Sequence, residues 1–191
     1  MTKNISIIII DNFDSFTFNL YHYLQPFANK VEVVRNDKII LNKIKNYDGI
    51  VISPGPGLPK DIPVLNDIIE FGKLKPLLGI CLGHQAIAEH FSCKLFNMQE
   101  VWHGVKRKTK IITNDKIFSG LPKIIETGHY HSWAVSDENF SKNLNIIARE
   151  ENGTIMAISH KQFNIKGIQF HPESILTPMG QKIISNWIKT F

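Results

Sequence analysis

Leu78-Gly79-Ile80-Cys81-Leu82-Gly83-His84-Gln85 is the stretch on which the reading of this chain turns. An apolar run, Pro76 to Ile80, reads as a strand, and Gln85 to Phe91 has the spacing of a helix. Between them lies a Gly-x-Cys-x-Gly turn, the geometry of a nucleophile elbow with sulfur in place of the serine oxygen. Gly79 and Gly83 lack a Cβ, so strand and helix can approach closely around a strained turn. The cysteine then stands at a helix N-terminus, where the dipole favours a thiolate. The N–H of Leu82, next in the chain, points to where a tetrahedral oxyanion forms.

Working outward, strand and helix patterns alternate on the N-terminal side. Ile5 to Ile10 is a continuous apolar run ending at Asp11-Asn12, as in a strand buried on both faces. Ser15 to Leu24 has helical spacing and is closed by Pro26. Val31 to Val34 and Ile50 to Ser53 read as strands, Ile39 to Ile44 as a short helix, and Val64 to Phe71 as a longer one. Such alternation gives a mainly parallel sheet with helices on both faces. After Cys93 the pattern changes to short strands joined by turns: Lys108 to Thr113, Ile146 to Glu150, Ile155 to Ser159 and Ile165 to Phe170. A helix, Gly180 to Ile188, follows them. The expected architecture is one α/β domain over residues 1–191, an open, mainly parallel sheet with antiparallel strands in its second half.

Two further pieces fall at the carboxyl ends of expected strands, where open α/β sheets bind ligands. His171-Pro172-Glu173 follows the strand Ile165 to Phe170. Residues two apart in an extended segment project to one side, so Glu173 is able to fix the tautomer of His171 while His171 serves sulfur as base and acid. Ser53-Pro54-Gly55-Pro56-Gly57 is a stiff loop with few, well-placed N–H groups, and Gly57 is a candidate second oxyanion donor. Each piece alone is compatible with a plain turn; their convergence on one edge carries the argument.

Composition limits the alternatives. The chain has 191 residues, 43% hydrophobic and 20% charged, as an ordinary globular protein has. The first residues, Met1-Thr2-Lys3-Asn4 and the isoleucine run, make too short an apolar stretch for a membrane span and lack a signal-peptide cleavage site. Two cysteines, Cys81 and Cys93, imply no disulfide framework and suit a reducing cytoplasm. The net charge of +5 raises a nucleic-acid reading. Its one cluster, Lys106-Arg107-Lys108-Thr109-Lys110, has no interleaved aromatics and is read instead as a solvated edge strand guarded by lysines. His129 and His131, two apart, have zinc-like spacing, but no cysteine or carboxylate cluster completes a site. Cys93 reads as core.

Together these residues resemble the class I (triad) glutamine amidotransferases over essentially the whole chain. The opening Asp11-Asn12-Phe13-Asp14-Ser15-Phe16-Thr17 and the proline-glycine loop narrow the resemblance to amidotransferase subunits of chorismate-using enzymes: anthranilate synthase component II and its relative in aminodeoxychorismate synthase. The resemblance implies a flavodoxin-like sheet and a triad of Cys81, His171 and Glu173 that hydrolyses L-glutamine through a thioester. Glutamine and oxyanion contacts are implied for Gly55, Pro56, Gly57, Leu82, Gln85, Ser132 and Trp133, the last two through backbone groups; many relatives carry leucine where Trp133 stands. It implies no cofactor or metal in this subunit, no nucleic acid and no membrane. The expected partner is a chorismate-binding synthase subunit, anthranilate synthase component I or aminodeoxychorismate synthase component I. The expected docking surface includes the Asp11 to Phe16 loop and Val101 to Gly104, with Trp102 as a contact.

Overall fold

Ile7, Ile8, Ile9 and Ile10 are all buried, which a strand achieves only when both its faces are covered. In the computed structural model, which describes residues 4–191, they form β1 (Ser6–Asp11) inside a wide sheet. Met1, Thr2 and Lys3, the head of the segment expected to carry no signal peptide, lie outside the described residues. Ile7 and Ile9 enter one core; Ile8 and Ile10 enter the other, as the two-residue strand period requires. The first core is closed by Leu20 and Leu24 of α1 (Thr17–Leu24) and by Ile183, Ile184 and Trp187 of α4 (Gly180–Ile188). The second is closed by Leu65, Ile68 and Ile69 of α2 (Val64–Gly72) and by Ala86 and Ile87 of α3 (Leu82–His90). Burial of each large aliphatic side chain contributes roughly 1.5–3 kcal/mol, so these two layers hold the helices on.

The sheet order is β2 (Lys30–Arg35), β1, β3 (Gly49–Ile52), β4 (Leu77–Ile80), β9 (Ile165–Ile168), β8 (Ile155–His160), β7 (Leu144–Glu150), β5 (Leu95–Ile111) and β6 (Ile124–Val135). From β2 to β9 the neighbours are parallel; from β9 to β6 they are antiparallel. The mixed sheet with helices on both faces is the architecture expected from the sequence.

Three local expectations are corrected. Ile39 to Ile44 is not an α-helix: 3-10 turns at Asn36–Lys38 and Leu41–Asn46 flank an extended pair, with Ile44 alone of the latter turn buried. The basic stretch is an edge only over residues 106–108, which have β6 as their one paired neighbour among the described residues. Lys106, Lys108 and Lys110 share an exposed face, but they pair with Gly128, Glu126 and Ile124 of β6, and Thr109–Ile111 also pairs with β7. The outermost strand is β6.

The third correction concerns Val101–Gly104. Val101 is exposed, whereas Trp102 is only 3% exposed and belongs to the core. Its ring meets the rings of His129 and His131 edge-on, both at 5.4 Å, and the Arg107 guanidinium lies 4.3 Å over it. Trp102 cannot serve as a docking contact while it fills that space.

Two substitutions test the packing. Trp102→Ala is expected to lower the unfolding free energy of the chain alone by about 3–5 kcal/mol, measured by urea denaturation. Gly83→Ala places a Cβ 2.4 Å from the Ile52 carbonyl oxygen, so backbone must move; a loss of about 1–3 kcal/mol or more is expected in the same titration.

Candidate active site

Because β1, β3, β4 and β9 run parallel, their carboxyl ends emerge along one edge of the sheet. Cys81 is the residue after β4 and adopts φ 51°, ψ −101°. A side chain in that region carries roughly 1–3 kcal/mol of strain that its surroundings must offset. Its N–H donates to the Ile168 carbonyl at 2.8 Å, and its carbonyl accepts from the Gln85 N–H at 3.0 Å. The sharp turn starts α3 at Leu82, three residues earlier than apolar spacing places it, and leaves the first-turn N–H groups without intrahelical acceptors. Close approach makes this possible: a Cβ on Gly79 would lie 2.3 Å from the Gly83 carbonyl oxygen.

His171 and Glu173 come next to this turn from β9. Both are buried, and His171 Nδ1 lies 2.6 Å from Glu173 Oε1. Burial works to lower the proton affinity of His171, but the Glu173 charge and the hydrogen bonding with Cys81 and Glu173 outweigh it, holding the imidazole pKa well above its ordinary 6.5. With Nδ1 taken by Glu173, Nε2 is the nitrogen available to the sulfur. The turn carrying the pair is fastened to β6: the His171 N–H donates to the Gly128 carbonyl at 3.0 Å, the Gly128 N–H to Thr177 Oγ1 at 2.9 Å, and the Thr177 hydroxyl to the His171 carbonyl at 2.6 Å. The rings of Tyr130 and Phe16 pack on the imidazole at 4.8 and 5.7 Å.

The proline-glycine loop follows β3 and is tied to the loop after β1. The Asn12 N–H donates to Ser53 Oγ at 2.9 Å, and the Asn12 amide donates to the Ser53 carbonyl at 2.9 Å. Gly55 is pressed against Leu82: an added Cβ would lie 2.8 Å from Leu82 Cδ2 and 2.6 Å from Asn12 Cβ. Pro56 borders a cavity shared with Asn12 and Phe13. Gly57 turns the chain at φ +77° beside Asp61, whose carboxylate accepts from the Leu58 N–H at 3.3 Å.

Gln85, on the first turn of α3, donates through Nε2 to the Trp133 carbonyl at 2.9 Å, which joins α3 to β6. Ser132 is half-buried between His131 and Trp133. His131 accompanies His129 in a hydrogen-bonded pair, Nδ1 of His129 to Nε2 of His131 at 3.1 Å. Burial, followed by neighbouring positive charge, depresses the His129 pKa to about 3; burial likewise lowers that of His131 to about 4. Among the described residues no group of three His, Cys, Asp or Glu side chains could hold a metal ion. Cys93 is buried beside the Ser141 N–H, 3.4 Å from its sulfur, and burial raises its thiol pKa.

One residue at the site escaped the sequence reading. Gln169 is fully buried, and its Nε2 lies 3.7 Å from Cys81 Sγ while its Oε1 accepts from Gln85 at 3.3 Å. The signal was available, since Gln169 and His171 are two apart on one extended segment and project to the same side. Volume would not have found this place. A cavity of about 720 Å³ is lined by residues such as Lys110, Asn114, Lys116 and Lys123 and includes none of the residues above.

Comparison with known proteins gives the family. Residues 8–191 match the family model for glutamine amidotransferase class-I. The chain is 45% identical over 188 residues to anthranilate synthase component 2 of Cyanophora paradoxa, covering 95% of this chain and 97% of the relative. It is 39% identical over 190 residues to the aminodeoxychorismate/anthranilate synthase component 2 of Bacillus subtilis, covering 97% and 96%. A solved structure from Thermoplasma acidophilum, described as that of a GMP synthase subunit, superimposes with a TM-score of 0.88 at 26% identity, over 99% of this chain and 94% of that one. With a buried cysteine at a strained strand-to-helix turn, a histidine-glutamate pair beside it and a family match along nearly all of its length, the chain belongs to the class-I glutamine amidotransferases.

Proposed function

We propose that this chain is the glutamine-hydrolysing subunit of anthranilate synthase, acting as one domain and supplying ammonia to a separate chorismate-binding subunit. The observation that carries the chemistry is the placement of Cys81 at the strained head of α3 with the buried His171–Glu173 pair next to it. Cys81 attacks the side-chain amide carbon of glutamine, and N–H groups of Leu82 and Gly57 take the charge on the tetrahedral oxygen. His171 gives a proton to the departing nitrogen, ammonia leaves, and a γ-glutamyl thioester remains. Water, deprotonated by His171, then hydrolyses the thioester to glutamate and restores the thiol. Glu173 keeps the imidazole in one orientation and holds its positive charge. Gln85, Gly55, Pro56, Ser132 and the backbone of Trp133 surround the amino-acid end of glutamine. The chemistry closes with these groups and water, without a cofactor or metal.

The name of the Cyanophora relative supports the anthranilate assignment, and with it a place in tryptophan synthesis. A second reading has its own support: the Bacillus relative carries both aminodeoxychorismate and anthranilate synthase in its name, so one subunit serving both synthases is the alternative. The ammonia user is a component I partner in either case. Among the described residues no helix is long and apolar enough to cross a membrane, and the proposed setting is the cytoplasm.

Pairing the chain with each chorismate-using synthase of its organism, with glutamine and chorismate supplied, tests the assignment. Anthranilate alone is the expected product; aminodeoxychorismate alone would move the chain to folate synthesis, and both products would establish a shared subunit. Cys81→Ala is expected to abolish glutamine-dependent product while leaving the synthase able to use added ammonia.

Glu173→Gln tests the pair. It is expected to reduce glutamine hydrolysis roughly 100-fold or more. It also removes the main charge that raises the His171 pKa, leaving burial to lower it. A histidine whose pKa rises on folding adds stability that is complete below its unfolded pKa, about 6.5, and is lost as pH climbs through the raised folded value. The native chain is therefore expected to lose melting temperature from about pH 6.5 upward, and the Glu173→Gln variant to show no such loss over that window.

A further inference from the structure

The amide of Gln169 faces the reacting sulfur, and hydrogen-bond chemistry fixes which way round it sits. The Trp133 carbonyl can only accept, so both groups touching it donate: Gln85 Nε2 at 2.9 Å and His131 Nδ1 at 3.0 Å. With its nitrogen committed there and toward Gln169, Gln85 meets the oxygen of Gln169 at 3.3 Å. Gln169 therefore turns its nitrogen to Cys81 Sγ, 3.7 Å away.

The direction of bonding continues away from the sulfur. A neutral His131 that donates through Nδ1 must accept through Nε2, so His129 donates to it from Nδ1 across 3.1 Å. His129 Nε2 must then accept from the Thr127 hydroxyl at 2.8 Å, and Thr109 must donate to Thr127 at 2.7 Å. The competing arrangement, in which Thr127 donates to the Arg107 carbonyl at 3.3 Å, would force protons onto both nitrogens of His129 or of His131. Burial of the two rings against Trp102 opposes the charge on either. Every member of the chain is buried except Trp133, which takes part only through its carbonyl.

We infer that Gln169 is a further catalytic residue, donating its side-chain N–H to the Cys81 thiolate, that the Trp133 carbonyl, by accepting from Gln85, keeps the donor and not the oxygen turned toward sulfur, and that the relay Thr109–Thr127–His129–His131 donates into the same carbonyl from its other side and holds it in place. His129 and His131 are positioning residues in this scheme. A hydrogen-bond donor interacts more strongly with a thiolate than with a thiol. The inference rests on the reading of Cys81 as the nucleophile.

The test is the pH dependence of Cys81 alkylation by iodoacetamide in the full chain, followed by peptide mass spectrometry so that Cys93 is counted separately. Gln169→Leu is expected to move the midpoint upward by about one pH unit, and Gln169→Glu, which sets a carboxylate beside sulfur, by more. His131→Leu should move it upward by less. His131→Asn, whose amide can still donate to the Trp133 carbonyl, should return it to the native value. Unchanged midpoints in both Gln169 variants, even with lowered melting temperature, would overturn the role of Gln169. Equal midpoints for His131→Leu and His131→Asn would overturn the relay. Cys81→Ala separates the two levels: if it abolishes glutamine hydrolysis while the Gln169 variants titrate as the native chain does, this inference fails and the nucleophile stands. Hydrolysis that survives Cys81→Ala would remove the nucleophile itself, and this inference with it.

Discussion

Contact between backbone and backbone at the head of α3 is the constraint on which the rest of the molecule depends. Gly79 faces the Gly83 carbonyl, and Gly83 faces the Ile52 carbonyl, at separations no Cβ could share. That closeness lets a helix begin one residue after the sheet ends, and it forces Cys81 into a conformation that side chains rarely adopt. The strain persists because both flanks are over-determined: β4 is paired on each side, by β3 and β9, and α3 buries Leu82, Ala86 and Ile87 in the second core. Sulfur ends up at a helix N-terminus through sheet geometry rather than through any contact of its own.

The second half of the sheet has a different task. Its antiparallel strands bring β6 across the carboxyl edge of the parallel half, and nearly everything that locates the histidine hangs from that strand. Gly128 pairs with His171, Tyr130 reaches His171 with its ring and Ser174 with its hydroxyl at 3.0 Å, and the Trp133 carbonyl takes up Gln85. A buried ion pair is costly to form, because two charges leave water. His171 and Glu173 tolerate it because the turn around them is rigidly bonded and their own contact is short. What the pair secures is a charged imidazole held in place.

The parallel half was legible in the sequence because its strands are buried on both faces. Ile5 to Ile10 is apolar at every position but Ser6, and the structure places every one of Ile7 to Ile10 inside. The elbow was legible because two glycines around a cysteine between strand and helix have few other uses. β5 was not, apart from its end. Over Leu95–Ile111 only Met98, Trp102 and Thr109 are buried, and residues 95–104 show no two-residue alternation; register shifts between Asn97 and Trp102 and between His103 and Val105 separate them from the regular end. A bulge moves the inward positions to a different parity, which is why Trp102 reads as a surface aromatic in sequence and sits in the core in space.

The same distinction explains what was missed at the site. Cys81, His171 and Glu173 announce themselves by residue type, since thiols, imidazoles and carboxylates are the groups that move protons and form bonds. Gln169, Thr127 and Thr109 are ordinary polar residues whose meaning lies entirely in partners distant in the chain. Once buried, however, they have few ways to satisfy their donors and acceptors, and one fixed carbonyl at Trp133 orders the whole series. A buried polar network with a single consistent assignment specifies geometry more tightly than packing can, because reversing any member leaves an unpaired group in a low-dielectric interior. Residue type therefore points to where the chemistry is, and hydrogen-bond accounting then says how the surroundings hold it.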